Sequence, residues 1–153
     1  MLDRRIYLDL QFFEVLAEHY RAPGDFAQAY VLAHEVAHHV QYLTGVFAQT
    51  EEFIREGAAP PNLVSIAREL QADCLAGVWA HSTYDRGLLE RGDLAEAQRA
   101  AAAVGDDRIQ KQSTGRVNPE TWTHGSAEQR REWLTRGFTE GDPGACDTFS
   151  QIL

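Results

Sequence analysis

Positive charge is scarce in this chain. Lys and Arg total 14 against 23 Asp and Glu, a net charge of −9 over 153 residues. Nucleic acid and anionic lipid surfaces both require clustered positive charge, so neither is an expected partner. Long apolar runs are also missing. The longest, 29–33 and 100–104, are five residues each, whereas a membrane span needs about 20. The opening Met1-Leu2-Asp3-Arg4-Arg5 leads into an alternating stretch and not into the apolar region of a signal peptide. Two cysteines, Cys74 and Cys146, are too few for a disulfide framework. A buried thiol is the expected state of Cys74, with a Cys74–Cys146 bridge as the lesser alternative, and the redox compartment stays open. Val and Ile together number 14 against 21 alanines, which favours helix over sheet. No repeat, low-complexity linker or second composition regime interrupts the sequence. Residues 1–153 are expected to form a single, mainly α domain.

Periodicity and punctuation place the elements. Ile6, Leu8 and Leu10 alternate, a short strand pattern that passes into helical spacing over residues 10–20. After Ala22-Pro23-Gly24, Asp25 with Gln28 reads as a capping box opening a helix over 26–43 that stops at Gly45. Residues 48–61 are acidic and read as a loop ending in Pro60-Pro61. Asn62 then reads as the cap of a helix carrying Leu63, Ile66, Leu70 and Cys74 to about His81. Asp93 with Glu96 opens a helix through the alanines to Gly105, and Ser126 with Gln129 opens another to about Arg136.

Within the 26–43 helix, His34-Glu35-Val36-Ala37-His38 fits H-E-x-x-H. Residues i and i+4 lie one turn apart on one face, so two imidazoles there can converge on one tetrahedral zinc. Glu35 lies roughly 100° round the helix. From there a carboxylate borders the metal and can take a proton from a water held by it. Shuffling this composition produces the motif in only about 2% of sequences. The alternative is a surface helix that happens to carry two histidines and a glutamate.

Two histidines bind zinc weakly, so a third protein ligand is needed. The extension H-E-x-x-H-x-x-G-x-x-H is excluded, because Gln41 and Thr44 occupy its last two defining positions. Glu69-Leu70-Gln71-Ala72-Asp73, in the next helix, again pairs i with i+4 on one face. One carboxylate there can bind the metal while the other accepts the free ring N–H of a ligand histidine. Taken alone, E-x-x-x-D is common on exposed helix faces; it gains meaning only beside H-E-x-x-H.

At this point the chain resembles a known family. His34-Glu35-Val36-Ala37-His38-His39-Val40-Gln41, Glu69-Leu70-Gln71-Ala72-Asp73-Cys74 and Thr123-His124-Gly125-Ser126-Ala127-Glu128-Gln129-Arg130 are similar to motifs of the bacterial neutral zinc metallopeptidases, which are gluzincin-type. The segments starting at Gly24, Gly105 and Cys146 match as well, so the likeness runs from about Tyr7 to Phe149. It implies a zincin-like fold, Zn2+ on His34, His38 and Glu69, Glu35 as base, Asp73 behind His34, and a cell-envelope or extracytoplasmic setting. Two departures stand out. Ala37 occupies a position where the family usually has glycine, and the upstream membrane-anchoring and cysteine-containing regions common in the family are not within these 153 residues.

His124 lies two residues before the Ser126 cap, at the positive end of a helix. A histidine there can stabilise the oxyanion of a tetrahedral intermediate; a structural turn histidine is the competing reading. Arg130 reads as an exposed arginine, His39 as a packing residue, and His19 and His81 as ordinary. Trp79, Trp122 and Trp133 read as core and cleft wall. The expected function is therefore zinc-dependent hydrolysis of peptide bonds in a peptide or protein substrate. The alternatives are a catalytically inactive, zinc-stabilised binding or scaffold domain and a zinc hydrolase of a non-peptide amide. Gluzincins bind substrate as an added strand, for which only residues 6–10 offer a candidate edge.

Overall fold

The structure, a computed structural model, describes residues 5–153. The helices in chain order are α1 (Gln11–Glu18), α2 (Asp25–Leu43), α3 (Val46–Arg55), α4 (Pro61–Asp85), α5 (Asp93–Ala103), α6 (Asp106–Thr114), α7 (Ala127–Glu140) and α8 (Phe149–Ile152), with short 3-10 turns at Pro119–Thr121 and Pro143–Cys146. No strand forms among the described residues, so the protein is mainly α. No helix among them is long and apolar enough to cross a membrane.

Helices α2, α4, α5 and α7 pack on one another. Leu16, Phe26, Tyr30, Ala80, Ala101 and Leu134 are buried in the larger apolar cluster. Ile66, Leu70 and Trp133 form a second cluster with the two cysteines. The alanines of α5 serve this packing. Ala97, Ala100, Ala101 and Ala103 are all buried, and side chains that small let one helix lie close against both α2 and α7.

The closest approach is between α4 and α7. A Cβ at Gly77 would overlap the Leu134 carbonyl oxygen, and one at Gly137 would overlap that of Cys74. Hydrogen in place of a side chain at both positions therefore sets the distance between the two helices. Beside that crossing, Cys74 of α4 forms a disulfide with Cys146 of the turn at Pro143–Cys146. This corrects the expected buried thiol: the pairing depends on the turn at Pro143–Cys146 folding back against α4, which no local pattern records.

Five other expectations are corrected. The strand at 6–10 does not form; the Asp9 carboxylate and carbonyl accept from Gln11 and Phe12 N–H (both 3.0 Å) and open α1. The acidic segment expected to be a loop contains α3. Its buried Thr50 accepts from Arg68 Nε of α4 (2.7 Å), and the same guanidinium lies over the Phe47 ring. Asp25 is not the N-cap of α2: Gly24 is, and Glu96 of α5 reaches the Phe26 N–H at 3.3 Å. A carboxylate expected to cap its own helix thus caps another, and Gly92 is the N-cap of α5. Asn62 lies inside the first turn of α4, after Pro60 and Pro61. The Ser126–Gln129 capping box forms as expected, with both reciprocal hydrogen bonds.

Since backbone faces backbone at the α4–α7 crossing, Gly137→Ala is expected to destabilise the protein by about 3 kcal/mol. For a chain of this size that lowers Tm by roughly 6–12 °C. Thermal unfolding followed by circular dichroism checks this; an unchanged Tm would mean that the helices can separate without penalty.

Candidate metal centre

His34 and His38 project from one face of α2, with ring centroids 4.6 Å apart and planes nearly perpendicular. Glu69 of α4 faces both. Its Oε2 lies 3.2 Å from His34 Nε2 and its Oε1 lies 3.3 Å from His38 Nε2. Ligand atoms of all three residues fall within 4.8 Å of one another. These separations are close to the edge of about 3.4 Å expected for a tetrahedron with bonds of roughly 2.1 Å.

The donor chemistry fits as well. His34 Nδ1 is 2.8 Å from Asp73 Oδ1, and His38 Nδ1 is 2.8 Å from Gln41 Oε1. Both partners are acceptors, so each ring donates from Nδ1 and directs Nε2 at the site, where it faces Glu69 and is the nitrogen that would ligate a metal. Two neutral imidazoles and a carboxylate are a donor set that suits zinc, and three protein donors leave one tetrahedral position open. A second acidic cluster, Asp25, Asp93 and Glu96, has no such character. Its carboxylates accept backbone N–H groups at helix starts.

Behind the two histidines lies a buried polar network. Asp73 is completely buried. Its Oδ1 accepts from the Tyr30 hydroxyl (2.6 Å), His34 Nδ1 (2.8 Å) and Arg130 Nη2 (3.1 Å), while Oδ2 accepts from Arg130 Nε (2.8 Å). Burial opposes the charge on Asp73, but Arg130 and then His34 hold its carboxyl below the ordinary value. Burial likewise opposes protonation of His34, and the Asp73 charge overrides it, raising the imidazole to about 9. For Glu69, burial is outweighed by hydrogen bonding to the two histidines, which keeps the carboxyl far below the usual range. Burial pushes the Tyr30 phenol upward, away from ionisation.

Arg130 is 3% exposed, which corrects the reading of it as a surface arginine. It sits one turn into α7, where the glycine crossing delivers it to Asp73. Tyr30, Gln41 and Gln71 are further site residues that motif reading passes over. Tyr30 had a signal, since it precedes His34 by four residues on the same face. A buried Asp in an apolar helix likewise calls for a cation, without saying which one.

A cavity of about 300 Å³ opens over these groups, bordered by His34, Glu35, His38, Glu69, His124 and Arg130. Phe12, Tyr20, Val31 and Ile109 supply apolar wall. His124 is half-exposed and stands on the loop before α7. Asp106 Oδ2 fixes that loop by accepting N–H bonds from Thr123, His124 and Gly125 (2.7, 2.6 and 3.1 Å). Asp107 holds the start of α7 through the Ala127 N–H at 2.7 Å. The structure thus brings every predicted site residue to one cavity or, for Asp73, directly behind it. His39 lies outside the cavity, half-buried. Trp133 is core, Trp122 packs against the second cluster, and Trp79 lines a different, apolar groove of about 510 Å³.

The family described as "putative neutral zinc metallopeptidase" matches residues 1–149. The chain belongs to that family. It is similar to the uncharacterized protein YpfJ of Escherichia coli (strain K12), at 50% identity over 152 residues, covering 99% of this chain and 53% of that protein. It is also 50% identical over 160 residues to the uncharacterized protein Rv2575 of Mycobacterium tuberculosis (strain H37Rv), covering 97% of this chain and 53% of the other. The chain therefore spans about half the length of the curated relatives it matches. No solved structure matches it.

Removing Arg130 strands a buried carboxylate. Arg130→Leu is expected to cost about 3–5 kcal/mol. Adding Asp73→Asn removes the uncompensated charge, so the double variant recovers part of that loss. Urea denaturation of the three proteins tests the pair; a loss below about 1 kcal/mol in Arg130→Leu would mean that the guanidinium does not carry the network.

Proposed function

We propose that the protein is a zinc-dependent peptidase in which His34, His38 and Glu69 hold the metal and Glu35 is the general base. The observation that supports this most directly is the convergence of those three donors beside Glu35 in an open cavity. The larger apolar groove on the opposite side of α2 contains no ionisable side chain, so hydrolytic chemistry is assigned to the smaller cavity. Residues 1–153 act in this reading as one catalytic domain.

Zinc bound there would serve as a Lewis acid toward the scissile carbonyl and the attacking water. Glu35 accepts the water's proton and returns it to the leaving amine. His124, projecting into the cavity from a loop pinned by Asp106, donates to the oxyanion that develops on the carbonyl oxygen. Asp73 keeps His34 oriented from behind, and Arg130 holds Asp73 from the edge of the cavity. The Phe12, Tyr20, Val31 and Ile109 wall favours an apolar substrate side chain next to the cleaved bond. The Cys74–Cys146 disulfide supports an extracytoplasmic location, since such bonds persist mainly in oxidising compartments.

The test is cleavage of a diverse peptide mixture read by mass spectrometry, comparing zinc-loaded wild type with zinc-loaded Glu35→Gln. Cuts should fall by roughly 10²–10⁴-fold in the variant, with zinc still bound. Equal cleavage by both would remove Glu35 as the base. No cleavage by either, with zinc bound, would favour a zinc-stabilised binding domain. Glu69→Ala should lose more zinc affinity than the roughly 10–100-fold that follows loss of a ligand's hydrogen-bonding partner. Chelator competition measures it, and an unchanged affinity would rule Glu69 out as a ligand.

A further inference from the structure

Asp73 orients His34, but His38 has no carboxylate on its other ring nitrogen. We infer that Gln41, held in a single orientation by the Arg68 carbonyl and the Gln71 side chain, is the positioning residue that accepts from His38 Nδ1 and so leaves Nε2 for the metal. The inference rests on the reading of His38 as a metal ligand.

Gln41 is 1% exposed and lies three residues beyond His38 on α2. An amide can be turned either way, so its orientation must come from its surroundings. Here one end of the Gln41 amide faces the Arg68 carbonyl at 2.8 Å. A carbonyl only accepts, so this end is the NH2 group, and Oε1 is the atom 2.8 Å from His38 Nδ1. The second Gln41 donor goes to Gln71 Oε1 at 2.9 Å. Gln71 is fixed by the same logic, because its own Nε2 donates to the Cys146 carbonyl at 3.2 Å.

Two carbonyls therefore set two amides, and the chain of hydrogen bonds has one sense from end to end. His38 Nδ1–H donates to Gln41, Gln41 to Gln71, and Gln71 to Cys146. A proton is held at His38 Nδ1, so Nε2 is the nitrogen left to face the site, 3.3 Å from Glu69 Oε1. The far end is anchored to α4 on both sides, through the Cys74–Cys146 disulfide and through Thr148 Oγ1 donating to the Ala67 carbonyl at 2.6 Å. His34 and His38 are thus oriented by different chemistry, a charged acceptor for one and a neutral relay for the other.

The experiment compares the wild-type chain with Gln41→Met and Gln41→Glu. Proton–nitrogen NMR of the zinc-loaded proteins reads the exchange protection of the His38 Nδ1–H, and chelator competition reads zinc affinity. Wild-type His38 should show a hydrogen-bonded, slowly exchanging Nδ1–H, and Gln41→Met should lose that protection. Gln41→Met should lose roughly 10–100-fold in zinc affinity. Gln41→Glu keeps an oxygen facing Nδ1 but turns its other oxygen onto the Arg68 carbonyl and Gln71 Oε1, so it should also lose zinc affinity. If Gln41→Met does not fold, Gln71→Met removes the second restraint on the Gln41 amide and should shift protection and affinity in the same direction, by less. Equal zinc affinity for wild type and Gln41→Met, or an unprotected Nδ1–H in the wild type, overturns the inference while leaving the metal site intact. A wild type that binds no zinc overturns the metal-site reading itself.

Discussion

The Asp73 carboxylate is the constraint on which the rest of the structure depends. It is fully buried and bound by side chains from two other helices, Tyr30 and His34 of α2 and Arg130 of α7. A buried carboxylate without a cation is strongly destabilising, so the three helices must meet with good geometry or not at all. Arg130 answers with two hydrogen bonds, Nε to Oδ2 and Nη2 to Oδ1, the fork geometry that a lysine cannot reproduce. Its charge also lies 3.9 Å from Glu69 Oε2. A single guanidinium therefore helps to hold two acids that stand one turn apart on the same face of α4. Some of the charge of Glu69 remains for a cation on its other side, which is the side that faces the histidines.

That meeting is possible because α4 and α7 nearly touch. The crossing at Gly77 and Gly137 sets the helix separation at a distance only hydrogen allows, and Arg130 lies two turns before Gly137 on α7. The disulfide joins the same region from the other direction, holding the turn at Pro143–Cys146 against α4. Packing and chemistry are not separable here. The glycines place Arg130, Arg130 neutralises Asp73, and Asp73 sets the proton of His34.

What could be read in the sequence was whatever had a local cause. The helix carrying H-E-x-x-H follows from apolar spacing between breakers at Gly24 and Gly45, and its two histidines share a face by helical geometry alone. The Ser126–Gln129 box forms because both partners lie within one turn. Asp25 and Glu96 show the opposite case. Each has the right spacing for its own capping box, yet Glu96 spends its carboxylate on the N-terminus of α2, and a residue has only one side chain to place. The acidic stretch read as a loop is helical because Phe47 and Thr50 are held by Arg68, 18 residues beyond Thr50. Arg130 and the disulfide were hidden for the same reason: one is set by the α4–α7 crossing and the other by a turn folding back on α4, and no periodicity within one helix reports how close its neighbour will come.

The site also shows how a loop residue can be placed nearly as firmly as a helical one. His34, His38 and Glu69 inherit their positions from α2 and α4, so their spacing is rigid by construction. His124 has no helix beneath it, but Asp106 gathers three consecutive N–H groups of its loop onto one carboxylate oxygen. Asp106 is itself the first residue of α6, and Asp107 beside it fastens the start of α7. The adjacent pair of acids thus joins the His124 loop to the helix that carries Arg130. Any shift of α7 would move the support of His34 and the position of His124 together. Precision in this cavity is accordingly a property of the α4–α7 contact more than of the motif that first draws attention to it.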